Sequence, residues 1–180
     1  MSSSSVLNDQ PWPIKSDSFC IITMPGRVAQ MILEMSQRCP RLFAGCWFGA
    51  WGSASAAVLF LGPALNRGLD AVALYVVVPG IASFVAGFWA GFRILDSSCT
   101  LSTPKAAGVG LTVAVLALAI YAPLFAIAYG ATQSAASVDW FGLTAAAFAF
   151  GLLATAPVTL AAGVIAGLFL FALRHAAEKT

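Results

Sequence analysis

The side chains that could carry out chemistry are few in this sequence and lie far apart along the chain. His175 is the only histidine, and no two of the four cysteines are separated by the roughly two to four residues that zinc sites use. Ser53, Ser55 and Ser83 have no histidine, carboxylate or lysine close in sequence that could activate a hydroxyl nucleophile. We therefore predict no catalytic residue, no metal site and no enzyme activity.

The overall composition indicates a membrane protein. Of the 180 residues, 60% are hydrophobic and 9% are charged, whereas soluble domains carry about 25% charged residues. So few charges cannot cover a globule in water. The formal net charge is +2, and its carriers are scattered along the chain, which argues against a nucleic-acid surface.

Four long runs lack Asp, Glu, Lys, Arg, His, Asn and Gln: residues 42–65, 71–92, 106–130 and about 150–173. A hydrocarbon layer about 30 Å thick requires roughly 20 such residues in a helix. The runs predict an all-α integral membrane protein, a four-transmembrane-helix bundle spanning residues 41–174. Residues 141–149 either lie at the interface or extend a tilted fourth helix.

The distribution of cations predicts the orientation, because Lys and Arg in short loops are retained on the cytoplasmic side. Arg67 is the one cation that falls between the first and second runs. The others precede the first run, separate the second from the third, or follow the fourth. We expect both termini, including the tail 175–180, to be cytoplasmic. A bacterial inner membrane is assumed, since eukaryotic signals are absent.

The N-terminal region has two predicted parts. Residues 1–23 contain a serine run and Pro11-Trp12-Pro13, which predict a flexible cytoplasmic tail. Residues 24–40 predict an amphipathic helix, whose apolar face repeats at i, i+3, i+4 and i+7: Val28, Met31, Ile32 and Met35. This face either lies in the lipid headgroup region or docks a partner.

Small residues at four-residue spacing occur in three of the four runs and predict close helix packing. The glycines concerned are Gly45, Gly49, Gly52, Gly87, Gly91, Gly163 and Gly167. Four prolines lie towards the opposite ends of the runs and are predicted to kink their helices: Pro63, Pro79, Pro123 and Pro157. Together they predict a bundle that is tightest at the cytoplasmic side and looser outside.

Two functional hypotheses follow. The first is a non-catalytic accessory or assembly subunit of a larger membrane complex, because four helices need not use three glycine faces among themselves. The alternative is a small self-associating channel or uncoupled carrier, since intramembrane charges, which ion-coupled transport usually needs, are absent from the runs. The predicted partners are membrane lipid and other membrane subunits or further copies of the chain. No cofactor is predicted, but a bound lipid or pigment fits both hypotheses.

Overall fold

A computed structural model describes residues 34–36, 38–96, 102–132 and 139–177. Across these ranges the chain is helical almost throughout and contains no strand. Most of the predicted N-terminal features lie outside the described residues. These are the tail 1–23 and the face residues Val28, Met31 and Ile32. Met35 lies within them and is 53% exposed.

Four long helices make up most of the described residues. Helix α1 is Pro40–Leu65, α2 is Leu69–Ile94, α3 is Thr103–Thr132, and α4 runs from Trp140 to Ala177. Each is long and apolar enough to cross a membrane. The prediction of an all-helical chain with four membrane-length helices is therefore confirmed.

The fourth helix is longer than the predicted crossing. The carboxylate of Asp139 accepts a hydrogen bond of 3.0 Å from the backbone N–H of Gly142, which caps a helix that begins at Trp140. Residues 141–149 consequently belong to α4 and continue into its apolar part. The segment is therefore helical and continuous with α4, and its depth in the membrane stays a prediction.

The helices pack as an antiparallel ring in which each contacts the next and α4 returns to α1. One end of the bundle holds Pro40, Ile94, Thr103 and Ala177, and we call it the termini end. The opposite end, with the turn at Gly68, is the hairpin end; Gly68 has a φ of 102°, which glycine adopts readily. A buried cluster near the termini end joins all four helices and includes Ala44, Phe48, Ile94, Val113 and Leu170.

The four predicted kink prolines differ in their surroundings. Pro79 follows a five-residue π-helical segment, Ala73–Val77, and Pro157 follows another, Gly151–Thr155. In both cases the segment ends two residues before the proline, whose missing N–H interrupts the regular helical hydrogen bonds. Pro63 and Pro123 instead lie inside continuous α-helix.

Candidate functional site

The predicted glycines of the first two helices lie where α1 crosses α2. A Cβ atom on Gly87 would lie 2.7 Å from Cβ of Phe48 and 2.9 Å from the carbonyl oxygen of Ala44. Gly91 contacts the ring of the same phenylalanine, at 2.6 Å from the Cβ position. The remaining glycines of this pair face α2: Gly45, Gly49 and Gly52.

The glycines of α4 lie against the start of α3. A Cβ atom on Gly163 would lie 2.8 Å from the carbonyl oxygen of Gly110, and one on Gly167 would lie 2.9 Å from that of Ala106. A Cβ atom on Gly110 would collide with the carbonyl oxygen of Gly163. Gly110 was not among the predicted packing residues, although Ala106, Gly110 and Ala114 have the four-residue spacing of small residues that signals such a contact.

These contacts bear on the first functional hypothesis. All seven predicted glycines face a neighbouring helix of the same chain, within the part of the chain that the structure describes. The glycine faces that the sequence left available for another subunit are therefore occupied internally. A partner would have to use a different surface.

Helices α1 and α4 are joined near the termini end by aromatic residues. The indole N–H of Trp47 donates a hydrogen bond of 3.0 Å to the backbone carbonyl of Ala166. The ring of Trp47 stacks on Phe43 at 6.4 Å between centroids, and Trp51 stacks on Phe169 of α4 at 6.1 Å. Trp47 thus connects two helices, in addition to any interfacial role that its residue type predicts.

Arginine side chains tie the same end of the bundle together. Nη1 of Arg174 donates hydrogen bonds of 2.9 Å to the carbonyl oxygens of both Ile94 and Asp96. These bonds occupy carbonyls at the end of α2, which has no further helical turn to bond them. The guanidinium of Arg41 lies 4.7 Å from the ring centroid of Phe92. The start of α1 and the end of α4 are therefore both attached to the end of α2.

Towards the hairpin end, α1 and α4 separate and leave a cleft. The Trp140–Phe150 part of α4 packs on α3, whereas the later part of the helix contacts α1. The cleft has a volume of about 80 Å³ and is lined by all four helices. Its walls include Trp51 and Phe60 of α1, Pro79 of α2, Ala117 of α3, and Phe150 and Gly151 of α4. The π-helical segment of α4 thus contributes to the wall, and Pro79 contributes just after the π-helical segment of α2.

Three hydroxyl groups of the cleft donate hydrogen bonds within their own helices. The hydroxyl of Ser55 donates to the carbonyl of Gly52 at 3.0 Å, and that of Thr155 donates to Gly151 at 2.7 Å. Thr159 donates to the carbonyl of Thr155 at 3.0 Å. Among the described residues that line the cleft, none is Asp, Glu, Lys, Arg or His. This arrangement can hold an apolar molecule, but it offers no acid and base pair near the hydroxyls.

No protein-family model, curated protein or solved structure matches this chain. Within the described ranges, no three His, Cys, Asp or Glu side chains come together as metal ligands do. The cleft is the candidate site that the described residues offer.

Proposed function

We propose that this protein is a non-catalytic integral membrane protein that holds an apolar molecule of the membrane in the cleft between α1 and α4. The observation that carries this proposal is the lining of the cleft. All four helices contribute apolar walls to it, and none of the described residues in those walls is charged. Sites for small apolar ligands have this composition.

The proposed membrane around the protein is the source of the ligand. Around the four helices the solvent is hydrocarbon, and a gap between helices that stayed empty would lose dispersion contacts on both sides. The gap lies between α1 and α4, so a lipid chain or a pigment has lateral access from the bilayer. The rings of Trp51, Phe60 and Phe150 provide broad contact area for such a molecule.

We further propose that the termini end is cytoplasmic and that the membrane is a bacterial inner membrane. The supporting observation is the placement of cations. Arg41, Arg93, Lys105 and Arg174 lie at the termini end, and Arg67 lies at the hairpin end. Positive side chains favour the cytoplasmic side. In this orientation the cleft extends from mid-depth towards the outer leaflet.

Native mass spectrometry of the purified full-length chain tests the proposed binding. The chain is extracted from membranes at natural expression level in the mildest effective detergent. We expect a stoichiometric adduct, and an absorption spectrum and lipid analysis of the solvent extract then identify its class. A chain that carries no adduct under conditions that retain lipid on a control membrane protein contradicts the proposal.

An accessory role in a larger membrane complex is a second proposal, supported by one surface. The Trp140–Phe150 segment extends α4 and packs on α3, and it exposes large apolar side chains away from that helix. Phe141 is 86% exposed and Phe148 is 40% exposed. Unrelated subunits that copurify stoichiometrically would support this role, whereas a chain that always purifies alone would contradict it.

The geometry gives less support to a channel or carrier. The buried cluster of Phe48, Ile94, Val113 and Leu170 lies between the cleft and the termini end. A pore would therefore have to form between copies of the chain. Liposomes that contain the purified protein and admit small solutes would favour this alternative, and impermeable liposomes would exclude it for the solutes tested.

A further inference from the structure

We infer that the cleft prefers an apolar ligand that carries a carbonyl oxygen, and that the hydroxyl of Tyr121 donates a hydrogen bond to that oxygen. This inference rests on the proposed binding function and specifies the class of ligand. Ester-linked lipids and prenylated quinones share this chemistry, because each joins a carbonyl acceptor to a long apolar chain.

The position of Tyr121 carries the inference. Its half-buried side chain lines the cleft. The residue lies about 5 Å from the midpoint of α3, given a rise of about 1.5 Å per residue. Tyr121 is therefore well inside the proposed hydrocarbon layer, where water is scarce and polar groups need partners.

Hydrogen bonding and position together distinguish Tyr121 from the other hydroxyl residues of the site. The Oγ of Ser83 packs into the α1–α2 crossing. Ser55, Thr155 and Thr159 each donate to a carbonyl of their own helix. Among the described residues, none forms a hydrogen bond with the hydroxyl of Tyr121. An unpaired phenol is costly in a low-dielectric setting, and an acceptor oxygen on the ligand removes that cost.

Neighbouring rings hold the Tyr121 side chain in place. Its ring lies 5.5 Å from that of Phe125, which in turn lies 5.9 Å from Tyr75 of α2. Tyr75 also contacts Phe60 of α1 at 5.7 Å. The phenol is thus supported from the hairpin end by an aromatic cluster that spans three helices. A hydrogen-bond donor that is held in one position can discriminate between ligands with and without an acceptor oxygen at that place.

Three probes test the preference. Methyl tetradecanoate represents the lipid ester, a decyl-substituted 1,4-benzoquinone represents the quinone, and pentadecane carries no oxygen. Each is titrated onto delipidated full-length protein in detergent, and binding is measured by native mass spectrometry. We expect at least one carbonyl probe to bind the wild-type chain several-fold more tightly than pentadecane, and the tighter of the two indicates the source of the natural ligand.

Two tyrosine variants test the donor. Tyr121→Phe is expected to weaken binding of the preferred carbonyl probe roughly three- to tenfold, the effect of one net hydrogen bond, and to leave pentadecane binding unchanged. Tyr75→Phe removes a hydroxyl from the same aromatic cluster but not from the cleft lining, and it should leave both unchanged. The wild-type probe comparison stands even if a variant fails to fold.

The outcomes separate this inference from the proposed function. The inference is overturned if pentadecane and both carbonyl probes bind the wild-type chain equally. It is also overturned if the Tyr121→Phe variant binds the carbonyl probe as tightly as the wild-type chain does. In either case an apolar binding cleft is left. A chain that binds no probe and purifies without a bound molecule overturns both.

Discussion

The indole N–H of Trp47 in α1 donates a 3.0 Å hydrogen bond to the backbone carbonyl of Ala166 in α4. Ala166 is fully buried, and its small side chain leaves room for the indole to reach the helix backbone. This contact joins the two helices that separate further along to form the cleft. The bond therefore lies in the part of α1 and α4 where the two helices remain in contact.

The first prediction concerns this bond. Trp47→Phe retains an aromatic ring but removes the donor, so the free energy of unfolding should fall by about 0.5–1.5 kcal/mol. Unfolding in mixed micelles, followed by circular dichroism, measures the change. Trp89→Phe is the matched control, because Trp89 is 72% exposed and should have little effect. Equal losses in the two variants would show that the hydrogen bond contributes nothing specific.

The second prediction concerns the closest approach of α3 to α4. Gly110→Ala introduces a methyl group that collides with the backbone carbonyl of Gly163, and overpacking of this kind costs about 1–3 kcal/mol. Gly108→Ala lies on the same helix with no atom within 4 Å of the added methyl. It should leave stability unchanged or raise it, because alanine favours helix over glycine. The prediction fails if thermal unfolding ranks the two variants the other way.

The third prediction concerns the end of α2. Arg174→Gln removes the guanidinium that bonds the carbonyls of Ile94 and Asp96, so unfolding free energy should fall by about 1–2 kcal/mol. Arg93→Gln makes the same change in charge at an exposed position of the same end. Thermal unfolding of both variants in detergent checks the difference. Similar midpoints would mean that net charge, rather than the hydrogen bonds, determines the effect.

The fourth prediction concerns orientation. Green fluorescent protein fused to either terminus should fluoresce in bacterial cells, because the termini end is proposed to be cytoplasmic. Alkaline phosphatase fused after Arg67, at the hairpin end, should be active in the periplasm. Inactive phosphatase at this position together with dark terminal fusions would reverse the proposed topology.

The number of helices could be predicted because it depends only on the length of each apolar run in the sequence. An uncharged apolar run of about 20 residues is long enough to cross a bilayer whatever its neighbours do. The start of α4 could not be read from run length, since residues 141–149 are as apolar as the rest. The cap formed by Asp139 determines where that helix begins.

The candidate site depends on relations between helices that a single sequence does not contain. The glycine spacing indicated which faces were flat, but not that all of them would be used inside the chain. The Ala106-Gly110-Ala114 spacing was visible, and its partner in α4 was not. Similarly, Pro79 and Pro157 identify missing N–H donors, but they do not indicate that the preceding turns become π-helical. The cleft arises from the separation of α1 and α4, which no local pattern specifies.

The most direct test of the binding cleft is to fill it. Ala117 lines the cleft, whereas Ala119 on the same helix is exposed outside it, so Ala117→Leu and Ala119→Leu add the same atoms at two different places. Native mass spectrometry measures the fraction of each purified chain that carries a bound molecule, and circular dichroism verifies that both variants are folded. We predict that this fraction falls several-fold in Ala117→Leu and remains at the wild-type level in Ala119→Leu. Equal occupancy in the wild-type chain and both variants would contradict the central claim.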